Sequence, residues 1–180
     1  MKTHILTTGA SRGIGAATAA CFDPKTTAVL ALSSKDGDLS DPATPLRLWD
    51  IALDRLDGRV DVLINNAGVF EENPISAADA DWLANWNRTM QINLTASADL
   101  CRRAVLHWQE TKATGRIVNI ASQMGLVGYF KRAEYCSSKA GVVNLTRVLA
   151  IEWAEYGIAV NAVAPTFVLT PLTAPYFEDS

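Results

Sequence analysis

The sequence predicts an α/β protein built on a doubly wound parallel sheet. Strand-like and helix-like segments alternate along its length. A glycine-rich turn, Thr8-Gly9-Ala10-Ser11-Arg12-Gly13-Ile14-Gly15, leaves the first predicted strand and opens the first helix. A second small-residue turn, Asn65-Asn66-Ala67-Gly68, closes a later strand in a matching position. In an open sheet of strand order 3-2-1-4-5-6, strands one and four flank the point where the order reverses, so both turns line one crevice at the carboxyl ends.

Each element has its own signal. The first strand is expected over His4–Thr8, and the helix after it covers Ile14–Phe22, stopped by Asp23-Pro24. A second strand fits Thr27–Leu32, and a short third fits Leu46–Trp49. Between them, residues 33–45 carry Gly37, Pro42, Pro45 and several Asp, a composition hostile to a helix. Residues 50–59 allow only a short one. These connections approach the lower limit for a parallel crossover, so one sheet face there is expected to be thinly covered. The fourth strand is the apolar run Val60–Ile64, followed by a long helical region over about 77–110. Arg116–Ile120 forms the fifth strand. A helix spans Ala133–Tyr156 with Gly157 as its C-terminal stop, and Ile158–Val163 is the sixth strand. No linker or repeat interrupts residues 1–180, which read as one domain.

Composition excludes several classes. The net charge of −3 lacks the basic footprint of a nucleic-acid binder. No apolar run is long enough for a membrane span, and the N-terminus has no signal-peptide core. Cys21, Cys101 and Cys136 are scattered, without the spacing of a metal site or disulfide framework. A soluble, reduced, cytoplasmic setting is expected, with no metal.

The motifs carry the chemistry. Glycines at a strand-to-helix turn let backbone approach a pyrophosphate, and the helix N-terminus offers it free N–H groups. Tyr135 and Lys139 lie four residues apart and share a helix face, which puts an ammonium near a phenol. A nearby cation favours the phenolate, and so can make a group of pKa ~10 useful near neutrality. Ser122, thirteen residues before the tyrosine, completes an order that points to carbonyl–alcohol redox chemistry. At the end of the second strand, where an acidic residue would hold the ribose 2′-hydroxyl of NAD, stand Ser33, Ser34 and Lys35; Asp36 comes three residues late. With Arg12 these groups suit the 2′-phosphate of NADP, while NAD stays open.

Together these residues resemble the short-chain dehydrogenase/reductase family, in the branch with Tyr-x-x-x-Lys, over about residues 3–170. The resemblance rests on the glycine turn, Asn65-Asn66-Ala67-Gly68, Met90-Gln91-Ile92-Asn93-Leu94, Ser122 after Val118-Asn119-Ile120-Ala121, Tyr135-Cys136-Ser137-Ser138-Lys139 and Asn161-Ala162-Val163-Ala164-Pro165. Gln123-Met124-Gly125 and Ala164–Val168 are loosely similar to members acting on sugars, polyols or sugar acids. The resemblance implies a Rossmann-type sheet and an NAD(P)-dependent interconversion of a secondary alcohol and a ketone. Tyr135 would be the general acid/base. Lys139 would depress its pKa and hold the nicotinamide ribose, Ser122 would bond the substrate oxygen, and Asn93 would position a water. Gly9, Ser11, Arg12, Gly13, Ile14, Gly15, Asn66, Ala67 and Gly68 would cradle the cofactor. Asp50 and Ile51 would meet its adenine, and Pro165, Val168 and Thr170 its nicotinamide. The helices around 77–110 and 133–156 would form a homodimer interface.

Two departures from the family pattern stand out. The connections between Ser33 and Asn65 are short, and the chain stops at Ser180, before the usual seventh strand. Leu172–Ser180 is expected to be too short to complete a substrate pocket. A cofactor-binding but catalytically weak relative, acting as a sensor or partner subunit, is the alternative reading.

Overall fold

A computed structural model describes residues 2–171, 173, 174 and 177. Its strands are β1 (Thr3–Thr7), β2 (Thr27–Ala31), β3 (Val62–Asn65), β4 (Arg116–Ile120) and β5 (Ala159–Val163). They form one all-parallel sheet of order β2-β1-β3-β4-β5. The order reverses between β1 and β3, so the two small-residue turns leave neighbouring strands on the same edge. Parallel strands covered on both faces carry continuous apolar runs, and Leu6, Leu63 and Ile117 at the sheet centre are fully buried.

The helices are α1 (Gly13–Ala20), α2 (Thr44–Arg55), α3 (Asp79–Met90), α4 (Ala96–Thr111) and α5 (Ala133–Glu152). Leu48 and Ala52 of α2 pack with Leu100, Ala104 and Trp108 of α4 in the main core. The Trp108 indole N–H donates to the Val60 carbonyl at 2.6 Å, so the largest core side chain also satisfies its polar atom.

One expected element is wrong. Leu46–Trp49 is not a strand but the first half of α2, so among the described residues the sheet has five strands, not six. Pro45, Leu48, Trp49, Ala52 and Leu56 are buried while Leu46 is exposed. Adjacent buried residues followed by one at i+4 fit a 3.6-residue period, not a period of two. Pro45 suits the first helical turn, where a missing N–H costs nothing. The two short connections are therefore one crossover, with α2 packed against α4.

The long helical region is divided. Between α3 and α4, residues Gln91–Thr95 form a π-helical turn that buries Ile92 and Asn93. Such turns widen a helix locally and recur at functional sites. Helix α5 ends at Glu152, four residues earlier than expected, and Gly157, at φ +69°, closes the 3₁₀ turn Ala154–Tyr156 that follows it. Of the closing segment Leu172–Ser180, only Thr173, Ala174 and Phe177 lie within the described residues.

Candidate active site

The two turns are fastened to each other. The Thr8 hydroxyl accepts hydrogen bonds from the Asn66 and Ala67 N–H groups, each at 3.2 Å. The Asn66 side-chain amide donates to the Thr8 and Gly9 carbonyls at 3.0 and 2.9 Å. Gly9 has φ +65°, and a Cβ there would fall 2.6 Å from the Ala67 Cα. Any side chain at Gly15 would run into the Asn66 amide, so the close approach itself requires glycine. Helix α1 starts at Gly13 with no side-chain cap, which leaves its first N–H groups available to an anion.

A cavity of about 400 Å³ opens above these turns at the carboxyl edge of the sheet. It brings together Gly9, Ser11, Arg12, Gly13, Ile14, Ser33, Ser34, Asn66, Ala67, Gly68, Ser122, Tyr135, Lys139, Pro165, Val168 and Thr170. Thr170 packs over the glycine turn, within 3.5 Å of where a Gly13 Cβ would stand. Gly15 and Asn93 lie behind the wall, and Lys35 lies outside it. Asp50 is exposed on α2, with Ile51 half-buried beside it against the core. Their expected place after a third strand disappears with that strand.

Ser122, Tyr135 and Lys139 converge on the cavity. Ser122 follows β4, and its hydroxyl oxygen accepts from the Met124 N–H at 3.1 Å, which leaves its proton free to donate. Lys139, 4% exposed, donates from Nζ to the Ile120 carbonyl at 2.7 Å, and Nζ lies 5.8 Å from the Tyr135 ring centroid. Asn93, on the π-helical turn, grips the backbone of Val69. Its Oδ1 accepts from the Val69 N–H at 2.8 Å and its Nδ2 donates to the Val69 carbonyl at 3.0 Å and to Ser138 Oγ at 3.2 Å.

A family model described as short chain dehydrogenase matches residues 33–180. The chain belongs to the short chain dehydrogenase family. It is 34% identical to 3beta-hydroxysteroid dehydrogenase 1 of Eggerthella lenta, over 97% of this chain and 74% of that protein. Among solved structures, a 4-hydroxyisoleucine dehydrogenase complexed with NADH superposes with TM-score 0.90 at 32% identity, over 99% of this chain and 79% of that one. ElxO with NADP bound gives TM-score 0.84 at 27% identity over the same shares. Membership places the chain among oxidoreductases that act on CH–OH groups with a nicotinamide cofactor. The donor set fits such a group: a glycine turn without side chains, an uncapped helix start, hydroxyls at Ser11, Ser33 and Ser34, and a buried lysine.

The electrostatics of this dehydrogenase differ from expectation at one point. Lys139 does not dominate Tyr135. Burial raises the phenol's pKa above its ordinary value, with a hydrogen bond from Ser122 pulling the other way. Burial also pushes the Lys139 ammonium down to about 8, so it stays mostly protonated at neutral pH. Beside them, Glu134 is fully buried in the first turn of α5, and neither of its side-chain oxygens has a hydrogen-bond partner among the described residues. The free N–H end of the helix partly offsets that cost.

Sequence reasoning missed several groups. Asp38 and Leu39 reach the cavity because residues 33–45 fold back over the end of β2, while Asp36 accepts from the Ser33 N–H at 2.8 Å. Phe70 and Arg88 line it from the β3 loop and α3. Behind it, Asn65 donates to Asn119 at 2.9 Å and Asn119 to Thr146 at 3.0 Å, a buried network joining β3, β4 and α5. Burial pushes the Cys101 thiol in this network up to about 12 and keeps it inert. Only the Asn65-Asn66 doublet hinted at it.

Proposed function

We propose that this protein interconverts a secondary alcohol and a ketone, with Tyr135 as the general acid/base. The convergence of Ser122, Tyr135 and Lys139 on one cavity beside the glycine turn carries the reading. The bound nicotinamide cofactor supplies or accepts the hydride. In reduction, the Tyr135 hydroxyl delivers its proton to the developing alkoxide, and burial keeps it protonated until then. The Ser122 O–H donates to the same oxygen and stabilises its growing charge. The Lys139 ammonium favours the phenolate left behind, and in oxidation lets Tyr135 act as base. Asn93 acts through Val69, fixing the loop after β3.

The glycine turn, the start of α1 and Asn66–Gly68 would hold the pyrophosphate and its flanks, Lys139 the nicotinamide ribose, and Pro165, Val168 and Thr170 the nicotinamide. Arg12, Ser33 and Ser34 support NADP, since a guanidinium and hydroxyls suit a 2′-phosphate. Asp38, which lines the cavity near the same serines, favours the second reading, NAD. Titrating NADPH and NADH against tryptophan fluorescence separates them. NADPH is expected to bind at least about tenfold more tightly, which is about 1.4 kcal/mol. A reversed preference would assign selection to Asp38, and no binding of either would remove the dehydrogenase reading.

A cytoplasmic homodimer is part of the same proposal. No helix among the described residues is long and apolar enough to cross a membrane. Leu83, Leu106, Val148 and Ile151 leave large apolar side chains exposed along α3, α4 and α5, and Ile151 is 79% exposed.

A further inference from the structure

We propose that the buried Arg132 and the half-buried Phe70 form a prop that sets the orientation of Tyr135, which makes both of them positioning residues; this rests on the Tyr135 reading above. Arg132 stands at the start of α5, three residues before the tyrosine, and is 2% exposed. Its guanidinium carbon lies 4.4 Å from the centroid of the Phe70 ring. The Phe70 ring in turn meets the Tyr135 ring at 4.7 Å and 70°, an edge-on contact. Arginine, phenylalanine and tyrosine thus form one continuous row of contacts, with the cation at the far end and the cavity-lining Tyr135 at the near end.

Two anchors hold Phe70 in that row. On one side, Asn93 bonds both backbone groups of Val69. On the other, Arg132 Nη2 lies 3.4 Å from Glu72 Oε1, and the Asn73 N–H donates to the Lys131 carbonyl at 3.0 Å. Lys131 itself holds φ +54°, a left-handed conformation unusual for a lysine, at the point where the chain turns into α5. The loop 69–73 is therefore fixed at one end to the π-helical turn, whose Asn93 also bonds Ser138 of α5, and at the other to the start of the helix that carries Tyr135.

A surface ion pair with Glu72 would need only an exposed arginine. Burying this one has a desolvation cost that the aromatic face and the carboxylate together offset. What the burial gains is a fixed ring packed on Tyr135. The phenol oxygen sits at the end of a long side chain, so a small ring rotation displaces it by about 1 Å, and a misplacement of that size costs about 100-fold in rate.

The test uses the full chain with cyclohexanol as probe alcohol, together with fluorine NMR of protein labelled with 3-fluorotyrosine. The Tyr135 resonance is identified by its loss in Tyr135→Phe. Phe70→Leu is expected to lower kcat by about tenfold or more, with KM and the NADPH dissociation constant each within about twofold; Phe70→Tyr, which keeps the ring, restores most of the rate. Arg132→Met is expected to shift the Tyr135 resonance as Phe70→Leu does, while the Tyr156 resonance stays in place. Phe70→Leu with unchanged kcat would overturn the prop, as would an unmoved Tyr135 resonance in Arg132→Met. The NMR arm holds even if cyclohexanol is not turned over. A fully active Tyr135→Phe would instead defeat the underlying reading, whatever Phe70 does.

Discussion

Lys139 shows how one buried residue links stability to function. Its folded pKa of about 8 lies below the ordinary 10.5, so folding favours the neutral amine. Between those two values the unfolded chain holds the extra proton, and stability contributed by this residue rises with pH. The penalty is fully present below pH 8 and is relieved by pH 10.5, a span worth about 3 kcal/mol. Lys139→Met should lack this slope in the cofactor-free protein. Urea unfolding at a series of pH values would then show the wild type gaining on the variant from pH 8 upward, whereas a constant difference would contradict the burial account. Tyr135 opposes this slope only at the top of the window: its folded pKa is raised above 10, so from about pH 10 the unfolded chain loses the phenol proton first and the stability Tyr135 contributes falls, equally in wild type and variant. At this scale the sequence was readable. Ser122, Tyr135 and Lys139 were legible from type, order and spacing, but the balance between burial and charge at the phenol was not, since it depends on what packs around it.

At the scale of elements, legibility followed the strength of the local pattern. β1 and β4 were clear because short apolar, β-branched runs end near Gly9 and begin after Gly115, and α5 because its helical pattern is long enough to carry Gly141 and Asn144 inside it. α2 was misread because Leu46-Arg47-Leu48 mimics strand alternation over three residues, while the Leu48–Ala52–Leu56 helical stripe shows only over a longer window. Losing the third strand takes Asp50 away from the cavity, whereas Asp38 lines it. The π-helical turn at Gln91–Thr95 had no local signal beyond Asn93 inside an apolar segment. Phe70 and Arg132 were invisible for a related reason. Their contact joins residues far apart in sequence, and an arginine just before a helix reads as a solvated surface residue until tertiary packing buries it.

For the whole molecule, assembly and reaction each have a direct test. On α5, Val142 and Leu149 turn to the interior at 2% and 8% exposure, while Val148 and Ile151 face outward. The outward residues support a dimer through α4 and α5, and sedimentation velocity should show a mass of about twice the 19.4 kDa chain. A monomer at every concentration would remove that assembly. The proposed reaction rests on Tyr135, and the Tyr135→Phe variant tests it most directly. Turnover of an alcohol or ketone with NADP is expected to fall by about a thousandfold. NADPH binding, read from tryptophan fluorescence, should stay within about twofold, because the glycine turn and Lys139 are untouched. Turnover equal to that of the unaltered protein would contradict the proposed mechanism.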